Sequence, residues 1–276
     1  MIEHDILGVI LGSVIGAVLA LTGAGGGILA VPVLVFGLGL SMVQAAPVGL
    51  LAVGLAASVG ALLGLHQGVV RYRAAGLVSA IGILAAPLGL YLGQHIPNAP
   101  LALMFSVVLA YASFRILRNA SRTLHGGPAM PPPEALPCVL NPTRGRLRWT
   151  LPCARALAFT GFTSGLLSGL LGVGGGFVII PALTRYTNLE TKSIVATSLA
   201  VIAIVSLGGV TTAALTGLMY WPAALPFALG AVIGLLAGRQ VAHKLAGPRL
   251  QQAFALVGVL AAVMLAISVL GVGPSG

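Results

Sequence analysis

Two glycine clusters interrupt apolar stretches of the chain, at residues 23–27 (GAGGG) and 172–176 (GVGGG). A proline follows each cluster at the same distance, Pro32 in the first copy and Pro181 in the second. Glycine permits a tight bend and lets a ligand approach the backbone closely, because it carries no Cβ. A helix that begins after such a bend directs unpaired amide N–H groups and the positive end of its dipole toward a ligand. The two clusters therefore predict backbone sites for an anion.

New helices are expected to begin after the bends, at about Ile28 and Phe177. Hydroxyl side chains lie near both clusters: Thr22 precedes the first, and Ser164 and Ser168 precede the second. Because a hydroxyl in a transmembrane helix often bonds back to a carbonyl one turn earlier, only some of them are expected to reach a ligand. The predicted substrate-binding residues are Thr22, Gly25, Gly26, Gly27, Gly174, Gly175, Gly176, Thr197 and Ser198. Pro32 and Pro181 are predicted to have structural roles.

The two clusters belong to a duplicated sequence. They are 149 residues apart, and the same offset relates Gly12 and Gly16 to Gly161 and Gly165. Small residues spaced by four let helices pack closely, so we interpret these four glycines as packing positions. Packing alone does not require three adjacent glycines, and we therefore interpret the bends as lying close to a substrate.

The composition indicates a polytopic α-helical membrane protein. Hydrophobic residues make up 58% of the 276 residues and charged residues 7%, and many stretches are long enough to cross a hydrocarbon core of ~30 Å. The alternating short segments of a β-barrel are not visible. The formal net charge of +10 is explained by basic cytoplasmic loops, so we expect the lipid bilayer, and not nucleic acid, as a partner.

Six segments are predicted to cross the membrane completely, at residues 43–66, 74–93, 100–117, 192–216, 222–242 and 250–271. Two longer stretches, 6–40 and 156–189, are each divided by a glycine cluster. The resulting arms of roughly 13–17 residues reach ~20–25 Å, which is less than or close to one membrane thickness.

The distribution of Arg and Lys predicts the topology. Cytoplasmic loops collect basic residues, which places the loop with Arg71 and Arg73, the central linker and the loop with Arg239 inside. On this count each broken stretch is a hairpin, and the two hairpins enter from opposite faces. The predicted fold is all-α, with two inverted repeats that each contain a glycine-broken hairpin and three transmembrane helices. The predicted domains are 1–117 (first repeat), 118–154 (cytoplasmic linker) and 155–276 (second repeat).

The membrane segments contain few residues for catalysis or proton transfer. Glu3, Asp5, Glu134 and Glu190 lie near segment ends or in loops, so a buried acidic residue for a proton relay is not expected. A nucleophile with a base at a plausible spacing, or a cluster of metal ligands, is not visible either. We therefore expect neither an enzyme nor a cofactor or metal.

The chain contains two cysteines, Cys138 and Cys153, and both lie in the central linker. They are not spaced as in the CxxC pattern of redox or metal-binding sites. The spacing therefore gives little support to a disulfide, and we expect two free thiols.

The glycine clusters and the residues that follow them resemble the sulfite exporter TauE/SafE family, also called TSUP or domain of unknown function 81. The matching motifs are the clusters with residues 31–34 (VPVL) and 180–183 (IPAL), and residues 192–199 (KSIVATSL). The resemblance covers about residues 6 to 270 apart from the linker. It implies a transporter of the bacterial inner membrane, with sulfite, sulfoacetate or related organosulfonates as substrates. The first half departs from the pattern, because it has Val48-Gly49 where the second half has Thr197-Ser198.

The leading interpretation is thus a secondary carrier for a small sulfur-containing anion. The hypothesis for its direction is export, because a membrane potential that is negative inside drives anions outward. An anion channel is the alternative within transport, and a membrane scaffold that moves nothing is the alternative from another class. The sequence leaves the particular anion, the coupling ion and the oligomeric state open.

Overall fold

The computed structural model of the protein describes residues 2–124, 137–138, 140–141, 146–147, 150–245 and 248–271. Within these ranges the chain forms ten α-helices, one 3-10 helix and one pair of two-residue strands. The helices of the first half are α1 (Ile2–Thr22), the 3-10 helix (Gly23–Leu29), α2 (Ala30–Leu38), α3 (Met42–His66), α4 (Tyr72–His95) and α5 (Asn98–Leu124). Those of the second half are α6 (Leu151–Leu171), α7 (Gly176–Tyr186), α8 (Thr191–Leu215), α9 (Trp221–Leu245) and α10 (Pro248–Gly271).

Seven helices of the described chain are long and apolar enough to cross a membrane. Six of them are α3, α4, α5, α8, α9 and α10, and these confirm the six segments predicted from the sequence. The seventh is α1, whose span covers Asp5–Thr22. The protein is therefore a multi-pass membrane protein.

The two broken stretches differ from the prediction in the lengths of their arms. Helices α1 and α6 contain 21 residues each, which corresponds to ~30 Å and matches a hydrocarbon core. The returning helices are short, with 9 residues in α2 and 11 in α7. The expectation of two similar short arms was wrong, because the apolar sequence before each bend continues without a helix-breaking residue.

The long helices pack in pairs that correspond between the two halves. Helix α1 packs on α9, and α6 packs on α4 in the corresponding manner. Helices α3 and α8 pack against each other in the centre, and α5 packs against α10 at the periphery. The bends of both broken stretches lie against the central pair, so α3 and α8 form the wall on which the candidate site is built.

Close packing at small residues is confirmed. A Cβ added at Gly12 would overlap the backbone of Phe227, and one at Gly161 would overlap the backbone of Val78. Val78 and Phe227 are themselves related by the repeat offset. The glycines spaced by four therefore let α1 approach α9, and α6 approach α4, at backbone distance.

The prediction of two free thiols in the linker was wrong. Cys138 and Cys153 form a disulfide with their Cα atoms 4.9 Å apart. The amide of Cys138 donates to the carbonyl of Tyr186 over 3.1 Å, and Cys138 pairs with Thr187 as an isolated bridge. This tertiary pairing carries Cys138 from the linker to the start of α6, which a sequence spacing of 15 residues does not reveal. Beside it, the strands β1 (Leu140–Asn141) and β2 (Arg146–Leu147) pair in antiparallel fashion.

The helix ends that carry the basic loops lie together on one face of the protein, which we call the basic face. The amide of Arg71, at the start of α4, donates to the Thr197 hydroxyl near the start of α8 over 3.0 Å. The guanidinium of Arg239, near the end of α9, donates to the Gln67 side chain after α3 over 3.3 Å. Through Cys138, the start of α6 and the end of α7 also meet here, so α6 and α7 form a hairpin that leaves and returns on the same face.

Candidate functional site

The second glycine cluster forms a sharp bend between α6 and α7. Helix α6 ends at Gly172 (φ 71°), and Gly174 (φ 71°) and Gly175 (φ 69°) continue in left-handed conformations. These values of φ favour glycine, because a Cβ would clash with the backbone. Helix α7 then begins at Gly176 without a side-chain cap. The prediction that a helix starts near Phe177 is confirmed to within one residue.

Three buried serines lie near this bend, and the carbonyl of one of them, Ser168, accepts from the amide of Gly172. Ser164 donates to the carbonyl of Gly175 over 3.2 Å. Ser168, on α6, and Ser206, on α8, are 0% and 1% exposed, and their hydroxyls find no hydrogen-bond partner among the described residues. A Cβ placed on Gly174 would lie 3.7 Å from the Ser206 oxygen, so this hydroxyl lies beside the bend. Buried hydroxyls without partners are uncommon and mark a place where a polar ligand would be favourable.

The first cluster has a different backbone. Residues Gly23–Leu29 form a 3-10 helix, and α2 begins only at Ala30. Within this helix Gly23 alone has a positive φ, of 74°. Helix α2 follows the 3-10 helix directly, so the helix start expected at about Ile28 lies two residues later, at Ala30. Both clusters therefore lead into a helix, but the two starts are not equivalent: α2 continues a 3-10 helix, whereas α7 begins after two left-handed glycines.

The two bends nevertheless lie in contact. A Cβ on Gly27 would be 3.2 Å from the carbonyl oxygen of Val173, and 3.0 Å from the Val53 side chain. The same Val53 side chain would be 3.1 Å from a Cβ on Gly174. The two glycine clusters therefore converge in the structure. Their contact is tightly packed, because added methyl groups at these positions would contact neighbours on α3, α8 and the opposite bend.

A cavity of about 550 Å³ lies beside the bends, between α5, α6, α7 and α10. It extends from Thr22 and the first turn of α7 to the basic face, where Arg115 and Arg185 line it. Its other lining residues include Val107, Val108, Tyr111, Asn119, Phe159, Thr160, Thr163, Leu167, Phe177, Val178, Ile180, Pro181, Ala182, Thr184, Tyr186, Gln251 and Phe254. The first turn of α7 thus forms the inner end of a cavity that begins at two arginines of the basic face.

The residues predicted to bind substrate have different positions in this arrangement. Thr22 lines the cavity, and its hydroxyl donates to the carbonyl of Val18 over 2.7 Å. Thr197 accepts from the Arg71 amide, and Ser198 donates to the carbonyl of Val195 over 2.9 Å. Both hydroxyls of the Thr197-Ser198 pair therefore already have protein partners.

The predicted glycines all belong to the two bends. Gly25 and its neighbours Gly26 and Gly27 lie in the 3-10 helix, Gly174 and Gly175 form the second bend, and Gly176 starts α7. Of the prolines, Pro32 is buried in α2, whereas Pro181 lies in α7 and lines the cavity.

Ser206 was missed by the sequence reasoning. It follows Ser198 by eight residues, a spacing that places both side chains on a similar side of α8. This spacing is the sequence feature from which the position of Ser206 could have been inferred. The proximity of Ser206 to Gly174 depends on how α8 packs against the bend, which the sequence alone does not specify.

The sequence profile of one family, described as sulfite exporter TauE/SafE, matches residues 8–265. The chain belongs to this family. The match runs through both glycine bends, the central pair α3 and α8 and the linker between the halves.

Relatives of this TauE/SafE family member are known from two genera. A probable membrane transporter protein of Xylella fastidiosa (strain 9a5c) is 30% identical over 258 residues, which cover 91% of each chain. The probable membrane transporter protein YunE of Bacillus subtilis (strain 168) is 25% identical over 248 residues, covering 86% of this chain and 88% of YunE. No solved structure gives a significant match. The family and these relatives are described as membrane transporters, a class distinct from enzymes, and this protein is therefore a membrane transporter of the TauE/SafE family.

Proposed function

We propose that the protein exports small sulfur-containing anions, such as sulfite or organosulfonates, and that the anion binds at the second glycine bend. The observation that carries this proposal is the pair of buried hydroxyls without described partners near the bend that precedes α7: Ser206 lies beside Gly174, and Ser168 lies one turn before Gly172. The cavity from the basic face ends at Phe177 and Val178, the residues of α7 that directly follow the bend.

The chemistry of the bend favours the binding of an anion. The first amides of α7 carry the positive end of its dipole, and an anion there is stabilised by charge and by hydrogen bonds. Hydroxyl groups donate to an oxyanion in the same way, and hydrogen bonds to a charged group are stronger than those between neutral groups. The left-handed glycines at 174 and 175 allow the backbone to approach the ion closely. Thr22 and the glycines at 25–27 form the opposite wall in this proposal.

Corresponding contacts in the two halves support inverted repeats. Gly172 of the second bend lies against Ala46 of α3, and Gly23 of the first bend lies against Val195 of α8. Ala46 and Val195 are related by the repeat offset. In this proposal α6 starts at the basic face and α1 at the opposite face, so that each half enters the membrane from its own side. Such pairs of repeats carry out alternating access by moving against each other around a fixed site.

The membrane potential is a sufficient driving force for export. The basic face is assigned to the cytoplasm, because Arg and Lys collect in cytoplasmic loops. In a cell that is negative inside, a monovalent anion that leaves gains ~2.3 kcal/mol per 100 mV. The bacterial inner membrane is the membrane of this proposal, with residues 118–154 on its cytoplasmic side.

The disulfide has a consequence for this assignment. Disulfides persist mainly in oxidising compartments, and the cytoplasm keeps thiols reduced. With the basic face in the cytoplasm, Cys138 and Cys153 would be neighbouring thiols in the cell and would form their bond after extraction. The oxidation state of the pair in intact cells is therefore an independent test of the topology.

Flux into or out of proteoliposomes tests the function. Purified protein reconstituted with internal sulfite should release it when a negative-inside potassium diffusion potential is imposed, and protein-free vesicles should not. Release that ignores the potential and follows a pH gradient would refute potential-driven export. A thermal-shift series with sulfite, sulfate, thiosulfate, sulfoacetate, taurine and carboxylates would name the anion class, because a ligand that binds only the folded state raises its stability.

Two alternatives give different results in the same system. A channel would conduct without saturation and would not support counterflow. A scaffold would release no anion, and a bulky replacement of Gly175 that leaves expression intact would also leave its partner binding intact. A transporter with this replacement should lose flux, because the new side chain would occupy the position of the Ser164 hydroxyl.

A further inference from the structure

The cavity between α5, α6, α7 and α10 is larger than a small oxyanion requires. Its volume is about 550 Å³, within the range of pockets that hold organic ligands of moderate size. A water molecule takes about 30 Å³ in the liquid, so an ion with three or four oxygens would leave most of this space unfilled. The size alone favours a ligand with an organic body.

The polar and apolar parts of the cavity are separated along its length. Arg115 and Arg185 line it at the basic face, and Asn119 and Gln251 lie at the same end. No hydrogen bond or ion pair with another described residue occupies either guanidinium. The lining residues that the structure describes include no Asp or Glu, so the two guanidinium groups make this end favourable for an anion. A guanidinium also binds carboxylate, phosphate and sulfonate groups through paired N–H donors.

The remainder of the cavity is mainly apolar. Phe177 and Ile180 of α7 face Leu167 of α6 and Val108 of α5, and Thr22 lies at the inner end. From Phe177 to Arg185, and likewise from Val107 to Arg115, the helix advances by ~12 Å at ~1.5 Å per residue. Helices α5 and α7 therefore offer a similar length of apolar surface between the arginines and the inner end of the cavity.

The cavity also opens sideways between α5 and α6. Val107, Tyr111 and Phe159 line it, and they are 67%, 64% and 66% exposed. These side chains lie within the membrane-crossing part of α5 and the middle of α6. An apolar ligand could therefore reach the cavity from the bilayer as well as from the basic face.

We propose that the cavity binds a single-chain amphiphilic anion, with its head group between Arg115 and Arg185 and its hydrocarbon body along α7 toward Thr22. This proposal rests on the proposed transport function: the cavity binds the substrate at the basic face, at a position separate from the second glycine bend, and favours organic anions with an apolar body. An inorganic ion such as sulfite would make the polar contacts without using the apolar walls.

A chain-length series of 1-alkanesulfonates tests the proposal. The full-length protein in nanodiscs of zwitterionic phosphatidylcholine is titrated with ethane-, butane-, hexane- and octanesulfonate by calorimetry, with protein-free nanodiscs as the blank for partitioning. Affinity should rise about fourfold for each added methylene until the chain reaches the inner end of the cavity. Equal affinity for all chain lengths, or for sulfite and octanesulfonate, would overturn the proposal.

Matched variants locate the ligand. Arg115→Gln and Arg185→Gln should each weaken octanesulfonate binding at least tenfold, whereas Arg118→Gln, an exposed arginine of α5 outside the cavity, should leave it unchanged. Ala182→Phe places a ring in the apolar part and should remove the gain from longer chains while retaining ethanesulfonate binding. If Arg118→Gln weakened binding as much as Arg115→Gln, the effect would be general surface charge, and the proposal would fail.

Two further arms separate the sources of the ligand and the two proposals. Nanodiscs that contain phosphatidylglycerol test whether an anionic lipid occupies the cavity. If this lipid prevents octanesulfonate binding and raises the thermal stability of the wild type but not of Arg185→Gln, the occupant is a lipid. That result would exclude a single-chain amphiphile. Sulfite release from proteoliposomes is measured in parallel. Sulfite flux without chain-length dependence would overturn this inference alone, whereas absence of any anion flux would overturn the transport function.

Discussion

Replacing Ser206 by alanine separates a ligand-binding hydroxyl from a structural one. The side chain is 1% exposed and has no hydrogen-bond partner among the described residues. A buried hydroxyl without a partner costs about 1–3 kcal/mol in protein mutational data. Ser206→Ala removes this cost, so the anion-free protein should become more stable or remain equally stable, in contrast to most substitutions in a packed core.

The same substitution should weaken anion binding. A hydrogen bond to a charged group contributes about 1.5–3 kcal/mol, which corresponds to an increase in Kd of about 10- to 150-fold. Stability and affinity are therefore expected to change in opposite directions. Both quantities come from one thermal-unfolding series on purified protein, measured without anion and with increasing sulfite or sulfoacetate.

Two serine variants serve as controls. Ser113, on α5, is also buried without a described partner but lies away from the bends, so Ser113→Ala should keep the anion affinity. Ser164 donates to Gly175, so Ser164→Ala should lower the stability by about 0.5–1.5 kcal/mol. The reasoning is refuted if Ser206→Ala lowers the stability of the anion-free protein and leaves the Kd unchanged.

Three further predictions concern the backbone and the topology. Gly217→Ala should lower the stability by about 1–2 kcal/mol through left-handed backbone strain alone, because a Cβ at this position meets no atom within 4 Å. Gly175→Ala should lower the stability more, because its Cβ would also overlap Ser164. Thermal unfolding of the two variants measures the difference. Cys138 and Cys153 should react with a membrane-permeant maleimide in intact cells and not with an impermeant one; resistance to both until a reductant is added would contradict a cytoplasmic linker. Thr197→Val should destabilise the protein by about 1–3 kcal/mol, because the Thr197 hydroxyl accepts from the Arg71 amide at the start of α4. The Kd for anions should stay unchanged. A loss of affinity without a loss of stability would show that the hydroxyl contacts the anion.

The helices were predictable because a lipid environment leaves the backbone few choices. Amide groups in hydrocarbon must be paired within the segment, so a long apolar stretch is a helix whatever its neighbours are. The glycines spaced by four likewise indicated close helix packing, which Gly12 and Gly161 confirm. These features depend on the local sequence and on the lack of hydrogen-bonding partners in the hydrocarbon core of the membrane.

The features that were not predictable depend on contacts between distant segments. The clusters GAGGG and GVGGG differ in one residue, yet one forms a 3-10 helix and the other a left-handed bend. The Cys138–Cys153 bond requires the pairing of Cys138 with Thr187, and the position of Ser206 requires the packing of α8 on the bend. Hydropathy and spacing carry no information on such pairings.

The unequal backbones of the two clusters bear on how many ions one chain can hold. A perfectly symmetric duplication would offer two equal binding positions, and occupancy of one would influence the other. Here the left-handed glycines 174 and 175 and the buried serines without described partners, Ser168 and Ser206, all lie at the second cluster. If the anion binds at the second cluster as proposed, we predict one ion per chain, and transport rate plotted against anion concentration should follow a simple hyperbola with a Hill coefficient of about 1.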